Sequence, residues 1–215
     1  MAISNHPQLV QAIQDWMMDR SDLATFAPDC VTLTEAYLNF GGNWDEHDRP
    51  LRCRQMTTIA TITPDANGVY ALPADFLQLR RITETSSSPT RRNMSYIEPV
   101  GADVWYPDRP GGPGDNYTIL GSSIYGLPNS QNPLELVYYA KIPALTDVAP
   151  VNWLLTVNPN IYLYGSLMMA ADKIKFGEEA QKYALMLRSF VSGMNESDAI
   201  GRMARVGLSM RGPCP

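Results

Sequence analysis

The residues of this chain that could do chemistry are few: two histidines, three cysteines and one acidic, histidine-bearing segment. That segment is Trp44-Asp-Glu-His-Asp48, where carboxylates flank His47. Such a set could hold a divalent metal or do acid/base work. Adjacent residues in an irregular segment rarely converge on one point, however, and a solvated loop is the plainer expectation. His6 falls in the cap region of a helix. Cys30 lies beside Val31 and Leu33, where a buried structural thiol is expected rather than a nucleophile. The run Gly111-Gly-Pro-Gly114 lacks the Lys-Ser/Thr that completes a phosphate loop, and prolines remove amides from it. No Gly-x-Ser-x-Gly elbow occurs. The sequence therefore assigns no catalytic residue, no metal ligand and no cofactor.

The other chemically marked stretch is the C-terminus. Residues Ala199 to Pro215 carry Arg202, Arg205 and Arg211, no acidic residue, three glycines and two prolines. A segment with no long apolar stripe has no core of its own and is suited to folding on a partner. Its guanidinium groups would fork to carboxylates there.

The elements that must position these residues read as helix at both ends and strand in the middle. Leu9, Val10, Ile13, Trp16 and Met17 recur at helical spacing, with Ser4 or Asn5 as cap and Pro7 in the first turn. A second helix is predicted over Cys30 to Phe40, with Thr32 and Glu35 as a capping box and Gly41-Gly42 as the stop. Strands are expected over Met56–Thr63, Val69–Leu72, Leu77–Ile82 and Leu134–Ala140. A hairpin is expected from Tyr117–Leu120 and Ile124–Leu127 around Gly121-Ser-Ser123. Ser86–Asn93 and Tyr106–Asn116 read as surface loops. After Pro159, with Asn158 as cap, Ile161, Tyr164, Leu167, Met168, Ala171 and Ile174 share one face. Gly177 breaks that run, and Ala180, Tyr183, Ala184, Leu187, Phe190, Val191 and Met194 form the stripe of a further helix. Each one-sided stripe needs a partner. The expected fold class is therefore α+β: an antiparallel bundle of N- and C-terminal helices, a small inserted antiparallel β domain and an extended C-terminal tail. The expected boundaries are 1–55 and 146–198 for the helices, 56–145 for the β region and 199–215 for the tail. The Met-rich patches (Met17, Met18, Met168, Met169) are expected as core filler.

Bulk properties narrow the classes. The 215 residues, 45% hydrophobic and 18% charged, are enough for a core without metal or disulfide staples. A net charge of −5 argues against a general nucleic-acid-binding surface, which needs clustered Lys and Arg. Widely spaced Cys30, Cys53 and Cys214 suggest reduced thiols. Met1 to Gln14 is polar and is no signal peptide. No apolar run reaches the roughly 18 residues of a membrane span, so assembly in the cytoplasm without membrane contact is expected. The sequons at Asn116 and Asn195 would matter only in a secreted protein.

Several segments, taken in order, resemble the tailed-bacteriophage head-tail adaptor, or connector, family. They are Val69-Tyr-Ala-Leu-Pro-Ala-Asp-Phe-Leu-Gln-Leu-Arg-Arg-Ile82, Tyr117-Thr-Ile-Leu-Gly-Ser-Ser-Ile124, Leu134-Glu-Leu-Val-Tyr-Tyr-Ala-Lys-Ile-Pro-Ala-Leu145, Asn152-Trp-Leu-Leu155 and Pro159-Asn-Ile-Tyr-Leu-Tyr164. Their order and spacing over residues 69–175 carry the resemblance, which fades after about residue 195 and has no counterpart for 106–116. Within them, Tyr138 and Tyr139 are expected on opposite faces, one toward the core and one outward, and Trp153 and Leu154 as a staple for the helix at Pro159.

The resemblance implies a structural virion protein, not an enzyme: a homo-oligomeric ring of twelve subunits under the portal protein. A downstream tail or nozzle protein would follow on the other face, and DNA would be only a transient passenger in the channel. It also implies that the C-terminal segment reaches the portal, which makes Arg202, Arg205 and Arg211 the portal-binding residues. Two other readings stay open: a different neck or tail-completion protein, or a cytosolic enzyme or ligand-binding protein whose pocket no motif marks.

Overall fold

The computed structural model describes residues 3–17, 25–42, 49–85, 91–108 and 110–203, the side chains of 202 and 203 excepted. Its architecture is mixed α+β. The chain divides into two compact units, one from Met1–Arg54 with Ile142–Pro215, the other from Gln55–Lys141.

The first unit is helical. Helix α1 (His6–Trp16) is capped by the Asn5 side chain, which accepts from the Gln8 N–H, and Pro7 sits in its first turn. Helix α2 (Ala27–Phe40) ends at Gly41, whose φ of 82° is one that L side chains rarely adopt. The expected capping box is not there. The helix begins three residues earlier, around Pro28, so Thr32 and Glu35 lie inside it: Thr32 bonds back to the Pro28 carbonyl and Glu35 turns into the interior.

Between Ile142 and Pro159 the sequence contains a helix that periodicity alone does not reveal, α4 (Trp153–Val157). Its cap is Asn152, which accepts from the Leu155 N–H, and Trp153 and Leu154 are part of α4 rather than a staple. Asn158 precedes α5 (Pro159–Lys173) as expected, but its side chain makes no cap bond.

Helix α5 is not one-sided either. Ile161, Tyr162, Leu163, Gly165, Ser166, Leu167, Met168, Ala170 and Ala171 are all buried, because α1, α2, α4 and α6 pack around it. Tyr164, only half-buried, joins these helices through its ring, stacked on Phe190 at 5.6 Å and edge-on to Trp16 at 6.0 Å. The chain turns at Lys175, a non-glycine residue at φ 63°, so Gly177 opens α6 (Gly177–Met203) instead of breaking a helix. The buried stripe of α6 is Ala180, Ala184, Leu187 and Val191, the helical spacing read from the sequence. Helix α6 also runs on through residues 199–203, which were expected as extended tail.

The second unit is built from two four-stranded sheets. The first has the order β1-β8-β3-β4, with β1 (Thr57–Ile62), β3 (Phe76–Glu84), β4 (Arg92–Asn93) and β8 (Leu134–Ala140) all antiparallel. The second has the order β2-β7-β6-β5, with β2 (Val69–Ala71), β5 (Ser95–Tyr96), β6 (Asn116–Leu120) and β7 (Ser123–Leu127); only β5 and β6 run parallel. The β6–β7 hairpin turns on Gly121-Ser122, and Gly121 at φ 60° supplies the positive φ that such a turn needs first.

Tyr70 and Ile124 of the second sheet share one core with Ile82, Leu134, Leu136 and Tyr138 of the first. Of the pair expected on opposite faces, Tyr138 is the one in the core; Tyr139 lies on the other face of β8 and is buried as well, with the Arg80 guanidinium over its ring at 5.1 Å. Between the two stretches expected as loops, where no element was expected, lies a short helix, α3 (Pro99–Trp105), beside β6.

Candidate assembly surfaces

Two buried polar side chains of the helical unit, Tyr162 and Asn152, form a chain of hydrogen bonds to Glu35. One carboxylate oxygen accepts from the Leu145 N–H at 2.8 Å and from the Tyr162 hydroxyl at 3.1 Å. That hydroxyl in turn accepts from Asn152 Nδ2, which also donates to the Pro143 carbonyl, both at 2.7 Å. Asn39 takes the Ile142 N–H at 3.0 Å. Burial pushes the Glu35 carboxyl above its ordinary pKa, against the pull of its two donors, and burial beside that carboxyl raises the Tyr162 phenol too. Together these bonds fix segment 142–152 onto α2 and α5 and join the two helices to each other. None pairs a nucleophile with a base.

In the β unit the equivalent centre is Glu84. Its Oε1 accepts from the Ser130 hydroxyl in a short bond, and from the Gly114 N–H and Asn132 Nδ2, each at 3.1 Å. Burial works to raise its pKa, but these donors, with the charge of Arg92, bring it below the ordinary value. The glycine-rich run thus gives its amide to an internal carboxylate, which fits the exclusion of a phosphate loop. Tyr70 closes the cluster through its hydroxyl, which contacts the carbonyls of Ser130 and Asn132.

The residues singled out from sequence scatter. His6 Nδ1 stands 3.0 Å from Asp147. Cys30 is buried, and burial with the adjacent Asp29 charge pushes its thiol up to about 12. His47, and with it the acidic segment, lies outside the described residues, as do Met18, Arg205 and Arg211. Arg202 is on the last turn of α6, and its side chain is not described. Met17 and Met168 are core and Met169 is half-buried. Among the described residues no group of His, Cys, Asp and Glu is arranged to hold a metal, and no helix is long and apolar enough to cross a membrane.

What the molecule does offer is surface. In the helical unit a groove of about 660 Å³ is lined by Tyr37, Arg49, Leu185, Arg188, Ser192 and Asn195. In the β unit α3 buries only Ala102. Val100 is 76% exposed, Val104 70% and Trp105 72%. Three large apolar residues left in water on one short helix make a contact surface by their chemistry. Sequence reading missed α3, because seven residues are too few for periodicity to declare; Pro99 at its start with Val100 and Val104 at i, i+4 was the available signal.

Compared with known proteins, residues 4–211 match a family model described as SU10 adaptor protein. No curated protein matches the chain.

Proposed function

The chain belongs to the SU10 adaptor protein family, and from that premise we propose that it is a structural component of a bacteriophage virion. In this reading it is a head-to-tail adaptor, not an enzyme, and it needs no cofactor. Copies of it form a ring, twelve by the resemblance of its motifs, beneath the portal protein. The next tail protein joins the other face, and the genome passes through the channel. Helices from the two ends of the chain form the body as a bundle, and the β unit is inserted between them. The arm at 199–215 engages the portal through Arg202, Arg205 and Arg211. Helix α6 would carry that arm as far as Met203, with Arg202 at its last turn.

The observation that carries the reading is the extent of the family match, which takes in both units and nearly the whole chain. The polar interior supports it, since the buried carboxylates Glu35 and Glu84 are engaged by backbone amides and hydroxyls of their own unit. Weak lateral contacts between subunits become effective once a preformed portal holds neighbours side by side.

Native mass spectrometry of the full chain, alone and mixed with the portal ring of its parent phage, tests this. A stoichiometric ring of subunits on the portal is expected. A chain that ignores the portal would sink the adaptor reading and favour a lower neck component. Changing Arg202, Arg205 and Arg211 together to Ala should abolish portal binding while the helical circular dichroism stays unchanged; unchanged binding removes the arm from the proposal.

A further inference from the structure

The β unit carries two exposed surfaces of opposite charge, each with an apolar centre. The first is α3, where Val100, Val104 and Trp105 face water between the exposed acids Glu98, Asp103 and Asp108. The second is the outer face of the first sheet. Leu134, Leu136 and Tyr138 point into the core, so alternation sends Glu135 and Val137 outward. The register then sets Ile59, Val137 and Arg81 side by side across β1, β8 and β3. Ile59 is 65% exposed. Arginines crowd this face: Arg81 and Arg91 share the single carboxylate of Glu135, at 3.4 and 3.3 Å, and Arg80 lies over Tyr139. The balance of the face is therefore positive.

Resting on the reading of the chain as a ring-forming adaptor, we propose that the β unit makes the lateral contact between copies. Val100, Val104 and Trp105 on α3 of one copy dock on the Ile59–Val137 strip of a second copy, and Glu98 and Asp108 meet Arg80 and Arg81. Charge selects this pairing. Placing α3 against α3 would oppose acid to acid, and placing the sheet face against itself would oppose arginine to arginine. Only the unlike pairing joins an acidic rim to a basic one around apolar centres. Such a contact is head-to-tail, so it propagates from copy to copy instead of stopping at a dimer, and it closes as a ring where the rotation between copies closes. Exposed apolar patches of about 300–600 Å² are the largest that monomers usually carry. A contact of that size is weak alone, which suits subunits that assemble only when held by a template.

Site-directed cross-linking tests the contact. In full-length chain with Cys214→Ser, Val104→Cys and Ile59→Cys are introduced singly and together, and each preparation is treated with a flexible bis-maleimide, both free at high concentration and on the portal ring. Both sites are mostly exposed, and circular dichroism checks the fold. Linked dimers are expected from the mixture of the two single variants and not from either alone; the double variant is expected to give a ladder of oligomers. No ladder under either condition overturns the contact, as does linking of Val104→Cys to itself as readily as to Ile59→Cys. The native mass of the unaltered chain on the portal reports the ring separately. A ring without a ladder overturns this contact and leaves the adaptor reading standing.

Discussion

Glu35 and Tyr162 are 127 residues apart in sequence, and the Tyr162 hydroxyl donates to the Glu35 carboxylate at 3.1 Å. The same carboxylate oxygen receives the Leu145 amide, so one side chain on α2 holds both the start of α5 and the segment leading to it. Removing Glu35 leaves the buried Tyr162 hydroxyl without an acceptor for its proton and the buried Leu145 amide without the Glu35 oxygen. Glu35→Ala is expected to lower unfolding stability by about 2–3 kcal/mol, and Glu35→Gln, which keeps an acceptor there, by about 1 kcal/mol or less. Urea denaturation followed by circular dichroism measures both.

The two buried glutamates should tilt stability with pH in opposite directions. The folded pKa of Glu35 is raised, so its contribution is complete in acid and is lost as pH rises through that raised value. The folded pKa of Glu84 is lowered, so its contribution is present above the ordinary carboxylate range and is lost as pH falls through the lowered value. Glu35→Gln should therefore gain on the wild type as pH is raised from the acid side, and Glu84→Gln should gain on it as pH is lowered. Parallel pH profiles for wild type and variants would contradict the assignment.

Gly165 marks where α5 comes closest to α2. A β-carbon there would lie 2.3 Å from Thr34 Cγ2, and Thr34 is itself buried and bonded back to the Cys30 carbonyl. Gly165→Ala should cost about 1–3 kcal/mol by overpacking, outweighing the roughly 1 kcal/mol that alanine adds as a helix former. Thr34→Ser in the same chain deletes the clashing methyl and should recover part of the loss.

Native thiol reactivity should be low at both Cys30 and Cys53. Cys30 and Cys53 are both buried, and the Cys30 thiol, pushed up to about 12, is almost wholly protonated near neutral pH. Neither should react with a soluble disulfide reagent until the protein is unfolded in guanidinium. Prompt labelling of Cys30 in the native chain would show that the α2–α5 packing opens.

The sequence by itself determined the elements whose cause is local. The α6 stripe at Ala180, Ala184, Leu187 and Val191, the Asn5 cap with Pro7, the stop at Gly41 and the hairpin turning on Gly121 all follow from periodicity or from one residue's backbone freedom. Motif order carried the family across both units for the same reason, since strand and helix signatures are written in contiguous residues. Only tertiary structure decided what depends on neighbours distant in the chain. Thr32 and Glu35 have the spacing of a capping box, yet Leu145 and Tyr162 make Glu35 an interior anchor. Helix α5 has one stripe in sequence and is buried nearly all round, because four helices pack on it. Tyr139 faces out by alternation and is covered by Arg80. The surfaces proposed for assembly were hidden for the same physical reason. A seven-residue helix has no period to read, and a face of Ile59, Val137 and Arg81 exists only once strand register has brought three separate segments together.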